Sequence, residues 1–559
     1  MVVLAQLASG GKVLAVAPPR QPQRMTIAFY FGSPWPQEWP SCGDAAATIH
    51  TLATHRLRGT LPALELVRRG YRVVAVVSPT ELKTALDGSG ARSWLIISKL
   101  SHPDAAAFEQ MLDVAFALIA EARQLDVEVI VDYTDDLVAC GDHRSRRTLE
   151  LLLAADTITC ASEYLVCRVG LYTGDPTSVA LLADPLEGDR PQPPPVREVE
   201  GAPLRLLWFG HFANLDALLQ WLMPLHELSI SHPLALEIVT RLSDEQLLEL
   251  QFGILSAGLA FTITFTQWED PSSTLVALRR STVAFLPIDL KGTKVGVSSN
   301  RLTESLWGGC YVVASPASSY LPFQGRGAWL GDSLVEGLKW FLDNRQEAAK
   351  QVMDAQVSLA SSYTLQRVAD QWEQLLSRHP CRITPQVDIR INLGCGNHLL
   401  DGYLNIDIAS ERAGVRPDLV CDVADLSLLP ESYASEILSV HVIEHLWRWE
   451  VENILREWIR VLRPGGKLIV ECPNLLSACE ALLADPVQSS APDQRGQRTM
   501  WVLYGDPGWQ DPLMCHRWAY TPQSLAEMLL GVGLISVRQE AAMYKLREPR
   551  DMRVTGVKP

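Results

Sequence analysis

Apolar residues alternate along most of the chain between short continuous or every-second runs and longer stretches at helical spacing, the signature of strands and helices taken in turn. Residues 25–36 (MTIAFYFGSPWP) predict a strand running into a glycine- and proline-bearing loop. Residues 45–69 carry apolar side chains at helical spacing and end at Gly70, a C-cap position. The near-continuous β-branched run 71–77 predicts a buried parallel strand, with further strands at 94–97, 128–132 and 154–159 and a helix over 104–125. This alternation predicts a doubly wound sheet. The segment 185–203 (PLEGDRPQPPPVREVEGAP) breaks the pattern and reads as a semi-rigid connector. Beyond it a second series opens: strand 204–209, Gly210, a helix to about 228, then strands at 236–239, 261–265 and 282–287. A helix over 300–307 leads through Gly308 and Gly309 to a strand at 311–314, and a last helix, 364–376, precedes a polar joint at 379–387. Residues 1–24 read as a loose terminus.

Composition narrows the class. With 559 residues the chain exceeds one core and predicts three or four domains. The net charge of −15, with no basic cluster of useful length, argues against a large nucleic-acid surface. Eleven cysteines without C-x-x-C pairs suit a reducing cytosol rather than a disulfide framework. No uninterrupted apolar run reaches ~18 residues, so no spanning helix is expected, and the first twenty residues lack the basic leader of a signal peptide. The chain is expected in the cytoplasm, which leaves room for peripheral membrane contact.

The third series carries the clearest chemistry. Residues 389–407 (IRINLGCGNHLLDGYLNID) predict a strand, a Gly394-Cys395-Gly396 turn, and a second strand ending in Asp407. In an open α/β sheet that arrangement holds an adenosine moiety, glycines beneath it and the acid on its ribose. Asp407 follows Gly396 by eleven residues, against about 20 in a dinucleotide site. Asp422 ends another apolar segment, and a strand at 437–440 runs into His441, Glu444 and His445. A helix at 451–461, the turn LRPGG and the strand 467–471 follow, with a helix at 522–530 and a strand at 534–538 further on.

This ordered set, over about 388–540, resembles the class I S-adenosylmethionine-dependent methyltransferases, on LNLGCG, H-x-x-E-H and L-R-P-G-G. The resemblance implies a cofactor site at Gly394, Cys395, Gly396, Asp407, Asp422 and His441, with Asp407 on the ribose and Asp422 near the adenine amine. Asn392 stands where many such enzymes carry an acid, which shifts recognition of the methionine amino group to backbone or water. Methyl transfer needs an in-line nucleophile and often a base. His441 and Glu444, just past the fourth strand, and His516, in the late insertion 503–520 beside Trp518 and Tyr520, are the candidates. The bland alternatives are helix packing for His445 and a satisfied loop histidine for His516.

The first two series resemble a GT-B glycosyltransferase, on SSNRLTESLWGGCYVVASP and LLWFGHFANLDAL. The α/β fold implied is two Rossmann-like lobes, 25–184 and 204–380, then a joint at 381–387 and the methyltransferase domain at 388–559. Donor-sugar contacts would fall to Gly210, Lys294, Asn300, Arg301 and Glu304, with Glu304 on ribose hydroxyls and the two cations on diphosphate. The family's partner carboxylate, eight residues before Glu304, is here Gly296. Asp132, Asp135 and Asp136 read as a solvated turn, and Arg56 and Arg58 as an acceptor-side or merely exposed helix face. No metal is expected.

Together these resemblances imply a bifunctional enzyme of bacterial surface-polysaccharide or lipopolysaccharide assembly. It would use S-adenosylmethionine and a nucleotide-sugar donor on a glycan or lipid-linked saccharide. Two alternatives stand beside it: a methyltransferase with a non-catalytic glycan-binding half, and a small-molecule or protein methyltransferase with a scaffold half.

Overall fold

The computed structural model describes residues 2–6, 12–16, 25–32, 53, 55–86, 92–98, 100, 104–141, 143–188, 191–194, 202–290, 292–378, 388–545 and 549–559. The chain divides into two units. One comprises 1–136, 154–167 and 177–382, and the other 137–153, 168–176 and 383–559.

The first sheet is built from β1 (Val2–Gln6), β2 (Lys12–Val16), β3 (Thr26–Tyr30), β4 (Arg72–Ala75), β5 (Ser93–Ile97), β6 (Glu128–Tyr133), β7 (Thr157–Cys160) and β8 (Val179–Leu181), in the order β1-β2-β4-β3-β5-β6-β7-β8. From β4 to β8 neighbours run parallel. Strands such as SWLII at β5 are buried end to end, as a sheet covered on both faces requires. The loose terminus expected for 1–24 is corrected over 2–6 and 12–16. Both segments are rich in valine and leucine, pair antiparallel with each other and add to β4. The helix expected over 45–69 is described from 55 onward: a π-helical turn, His55–Thr60, leads into the α-helix Leu61–Arg68. Residues 45–52 lie outside the described residues.

The second sheet has β9 (Leu204–Phe209), β10 (Leu234–Thr240), β11 (Thr262–Gln267), β12 (Val283–Leu286), β13 (Tyr311–Ala314) and β14 (Ala328–Leu330), all parallel, in the order β11-β10-β9-β12-β13-β14. The helix Leu365–Ser377 returns to the first sheet, placing Val368, Trp372, Leu375 and Leu376 in one core with Ile27, Phe29, Trp94 and Ile96. Trp372 meets Phe29 edge-on at 6.4 Å. Its strong amphipathicity leaves such a helix no other way to bury its apolar stripe.

The third sheet has β15 (Arg390–Leu393), β16 (Leu404–Asp407), β17 (Leu419–Val420), β18 (Ala434–Val440), β19 (Leu462–Pro473), β20 (Ile535–Glu540) and β21 (Asp551–Val557), in the order β17-β16-β15-β18-β19-β21-β20. β15 to β19 are parallel, and β21 is antiparallel between β19 and β20. Strand order reverses beside β15, so the carboxyl edge there is where an open α/β sheet opens a crevice for ligands.

Candidate functional site

At the carboxyl end of β15 the chain turns through Gly394 and Gly396, at φ +66° and +58°. A Cβ on Gly394 would lie 2.4 Å from Val442 Cγ2, whereas one on Gly396 meets nothing nearer than Arg412 Cδ at 3.9 Å. The first glycine is thus required by packing and backbone together, the second by backbone alone. Asp407, buried at the end of β16, accepts from the Gly396 amide at 2.7 Å and from the Ala409 amide at 2.9 Å. The carboxylate therefore fixes the turn against the neighbouring strand. Cys395 between the glycines is buried, and burial pushes its thiol up to about 12, so it stays a neutral thiol. Asn392 is structural: its Nδ2 donates to Asn405 Oδ1 at 2.9 Å and to His398 O at 3.2 Å. Asp422 is exposed just past β17, where it accepts from the Ala424 amide at 2.9 Å. Gly394, Gly396, Asp407 and Asp422 accordingly end three adjacent strands along one edge.

His441 follows β18 in the left-handed region, at φ +56°. It is wedged between two buried carboxylates, Nδ1 at 3.1 Å from Glu444 Oε1 and Nε2 at 2.8 Å from Asp551 Oδ2. Burial lowers its pKa, but the two carboxylates outweigh burial and raise it. In the reverse direction, His441 outweighs burial and holds Glu444 well below the usual carboxylate range. His441 and Glu444, expected as the base, thus lie in one carboxylate–imidazole–carboxylate chain. With a carboxylate at each ring nitrogen, His441 has no nitrogen open to an acceptor, and Glu444 is turned to that ring.

Asp551, at the start of β21, was missed in the sequence. It lies 110 positions from His441, and only the antiparallel insertion of β21 beside β19 brings it there.

The insertion 503–520 is anchored on this edge. Arg517 N and Trp518 N donate to Glu444 O at 2.7 and 3.2 Å. His516 Nδ1 lies 2.8 Å from Val502 O, and its ring meets His445 edge-on at 4.8 Å. Trp447 and Trp449 stack at 4.7 Å with 13° between planes, both exposed, and Arg517 caps Trp447 at 4.7 Å. Tyr520 is buried.

In the second sheet, Gly210 and Arg301 meet at the carboxyl end of β9, where Arg301 Nη1 lies 3.4 Å from Phe209 O and 3.3 Å from a Cβ built on Gly210. Lys294 is exposed, and its charge, after burial, depresses His211. Asn300 and Arg301 open the helix Asn300–Trp307. Glu304 sits inside that helix, buried, and accepts from the Glu187 amide at 2.5 Å. Burial pushes its carboxyl up to about 8, and the Glu187 charge adds to that. The expected connector therefore does more than connect. Gly188 O accepts from Trp307 Nε1 at 2.7 Å, Gln192 N donates to Trp307 O at 2.8 Å, and the Glu187 carboxylate is forked by Arg56. Gly296, in place of the family's second carboxylate, is packed shut: a Cβ there would lie 3.0 Å from Leu165 Cδ2 and 3.2 Å from Tyr164 Cδ1.

The solvated turn and exposed helix face are corrected. Asp132, Asp136, Arg56 and Arg58 are all buried. Arg58 Nε lies 3.2 Å from both Asp132 oxygens and its Nη1 3.4 Å from Asp184 Oδ1. The glycine at position 59 and the π-helical turn carry both arginines inward, where their charges require buried partners.

Residues 401–470 match the methyltransferase-domain family, which marks an enzyme domain. No curated protein matches the chain in sequence. Among solved structures, HepE of Anabaena in complex with UDP-glucose is similar at 13% identity and a TM-score of 0.41, covering 63% of this chain and 99% of that one. A glycosyltransferase of Rickettsia africae is similar at 11% identity and 0.42, covering 63% and 98%. A SAM-dependent methyltransferase of Archaeoglobus fulgidus is similar at 16% identity and 0.22, covering 31% and 86%.

Proposed function

We propose that the chain is a bifunctional transferase of bacterial glycan assembly: an S-adenosylmethionine-dependent O-methyltransferase joined to a nucleotide-sugar-dependent glycosyltransferase. The observation that carries the first half is the Asp407-to-Gly396 tie at the reversal point of the third sheet, within a chain that matches the methyltransferase-domain family. Asp407 takes the ribose, Asp422 the adenine amine, and the methyl group emerges toward Glu444 and the insertion. The exposed Trp447–Trp449 stack beside Arg517 supports a sugar ring as acceptor, since flat aromatic faces and a cation suit a polar ring. Gly210, Lys294 and Arg301 supply the diphosphate contacts of the donor site.

A second reading has the glycosyltransferase-like half bind glycan without catalysis. It is favoured by Gly296, packed against Tyr164 and Leu165, and by Glu304, engaged by the Glu187 amide. Calorimetric titration of the full-length chain with S-adenosylmethionine, then with a panel of nucleoside diphosphates, separates the two. The bifunctional reading expects both ligands to bind, Asp407→Ala to abolish only the first and Arg301→Ala only the second. Binding of S-adenosylmethionine alone would leave the second reading standing.

A further inference from the structure

Three ligand-type side chains converge where the insertion meets the third sheet. One oxygen of Glu444 and one ring nitrogen each of His445 and His516 lie within 4.8 Å of one another. Glu444 is buried, and neither of its oxygens accepts an aligned hydrogen bond. Its close neighbours are the His441 Nδ1 ion pair at 3.1 Å and His516 Nε2 at 4.0 Å. A buried carboxylate with this much acceptor capacity unfilled is costly, and a cation fills it best.

The two imidazoles are oriented to help. His445 Nδ1 lies 3.3 Å from Cys515 O and His516 Nδ1 2.8 Å from Val502 O. A carbonyl oxygen only accepts, so each Nδ1 carries the ring proton and each Nε2 of the neutral ring offers its lone pair. A main-chain carbonyl behind each ring is the outer-shell support that coordinating histidines use.

We propose that Glu444, His445 and His516 form a site for a divalent transition cation of the zinc class. Two imidazoles and one carboxylate make a three-ligand set with one position open, which suits zinc over magnesium. Ligand atoms on bonds of about 2.0–2.1 Å stand about 3.3 Å apart around a tetrahedral ion, so the cluster closes by about 1.5 Å or less when filled. His441 is not a ligand. With both ring nitrogens engaged, it steadies Glu444 from behind. On the methyl-transfer reading, the open position would take the acceptor's hydroxyl oxygen, which makes hydroxyl-bearing acceptors the substrate class.

The test titrates Zn²⁺, and separately Mg²⁺, into the EDTA-treated full-length chain, with His445→Ala, His516→Ala, His516→Gln and, as control, the exposed His232→Ala. One equivalent of Zn²⁺ is expected, with affinity at least 10-fold weaker in each His445 and His516 variant and unchanged in His232→Ala. Zn²⁺ should also raise the Tm of the unaltered chain and of His232→Ala but not of the His516 variants. Mg²⁺ is expected to leave both readouts unchanged. Equal Zn²⁺ binding in all forms, or none in any, overturns the site. Circular dichroism identifies a variant that has not folded, and His516→Gln, which keeps a polar side chain, then decides. The same samples are titrated with S-adenosylmethionine: cofactor binding without zinc overturns the metal site alone, and loss of cofactor binding by the unaltered chain overturns the methyl-transfer reading.

Discussion

Gly394 and Gly396 sit two residues apart in similar left-handed conformations, yet their surroundings separate their roles. Gly394→Ala forces a methyl group against Val442 at 2.4 Å as well as straining φ, and should cost about 2–4 kcal/mol in chemical denaturation. Gly396→Ala meets open space, so it should cost about 1 kcal/mol while weakening S-adenosylmethionine binding, read by calorimetry. Equal stability losses in the two variants would contradict this division. Glu304 offers a second residue-level test. Its carboxyl is pushed up to about 8 in the folded chain from an ordinary 4.5, chiefly by burial. A raised pKa contributes stability that is complete below the unfolded value and is lost as pH rises through the folded one. The Tm of the unaltered chain should therefore fall relative to Glu304→Gln between about pH 5 and pH 9. A constant difference across that range would show that Glu304 titrates normally.

At the scale of elements, the longer parallel strands of the three sheets were legible, because strands such as VVA at β4 and VAFL at β12 must be apolar on both faces, whereas the three-residue edge strands β8 and β14 were too short to read. The Gly-x-Gly turn and Asp407 were legible for the same local reason, since the turn and its acid lie within one β-turn-β unit. What escaped depended on distance along the chain. β21 alternates as an ordinary strand, but nothing local says that it inserts antiparallel between β19 and β20 or that Asp551 then meets His441. The buried Arg58–Asp132 pair was read as exposed because charged residues usually are, and the inward-facing π-helical turn at 55–60 leaves no periodic trace. Deleting 549–559 removes β21, leaving β20 without its partner strand, β19 paired only to β18, and His441 with one carboxylate. S-adenosylmethionine binding and the cooperative unfolding of the third sheet should both be lost. A truncated chain that retained full affinity would show that Asp551 and its strand are dispensable.

At the scale of the whole molecule, the two units are interleaved along the sequence: the second takes 137–153 and 168–176 from within the span of the first sheet. In that unit Tyr433 Oη donates to Tyr172 O at 2.6 Å, and Arg168 pairs with Asp418. A fragment of 388–559 lacks these partners, and Asp418, a partly buried carboxylate, keeps only its Asn405 donors and loses its cation. The fragment should unfold at least about 2 kcal/mol more readily than the same sheet in the full chain, measured by hydrogen exchange at β15 and β16 amides. Equal protection in both would mean that 137–153 and 168–176 add nothing to the unit. The interleaving also sets a timetable for synthesis. At about 5–20 residues per second, segments 137–153 and 168–176 leave the ribosome tens of seconds before the last strand of their own unit exists. During that wait their apolar faces have no permanent home, so a nascent chain of this design calls for a holding chaperone during translation.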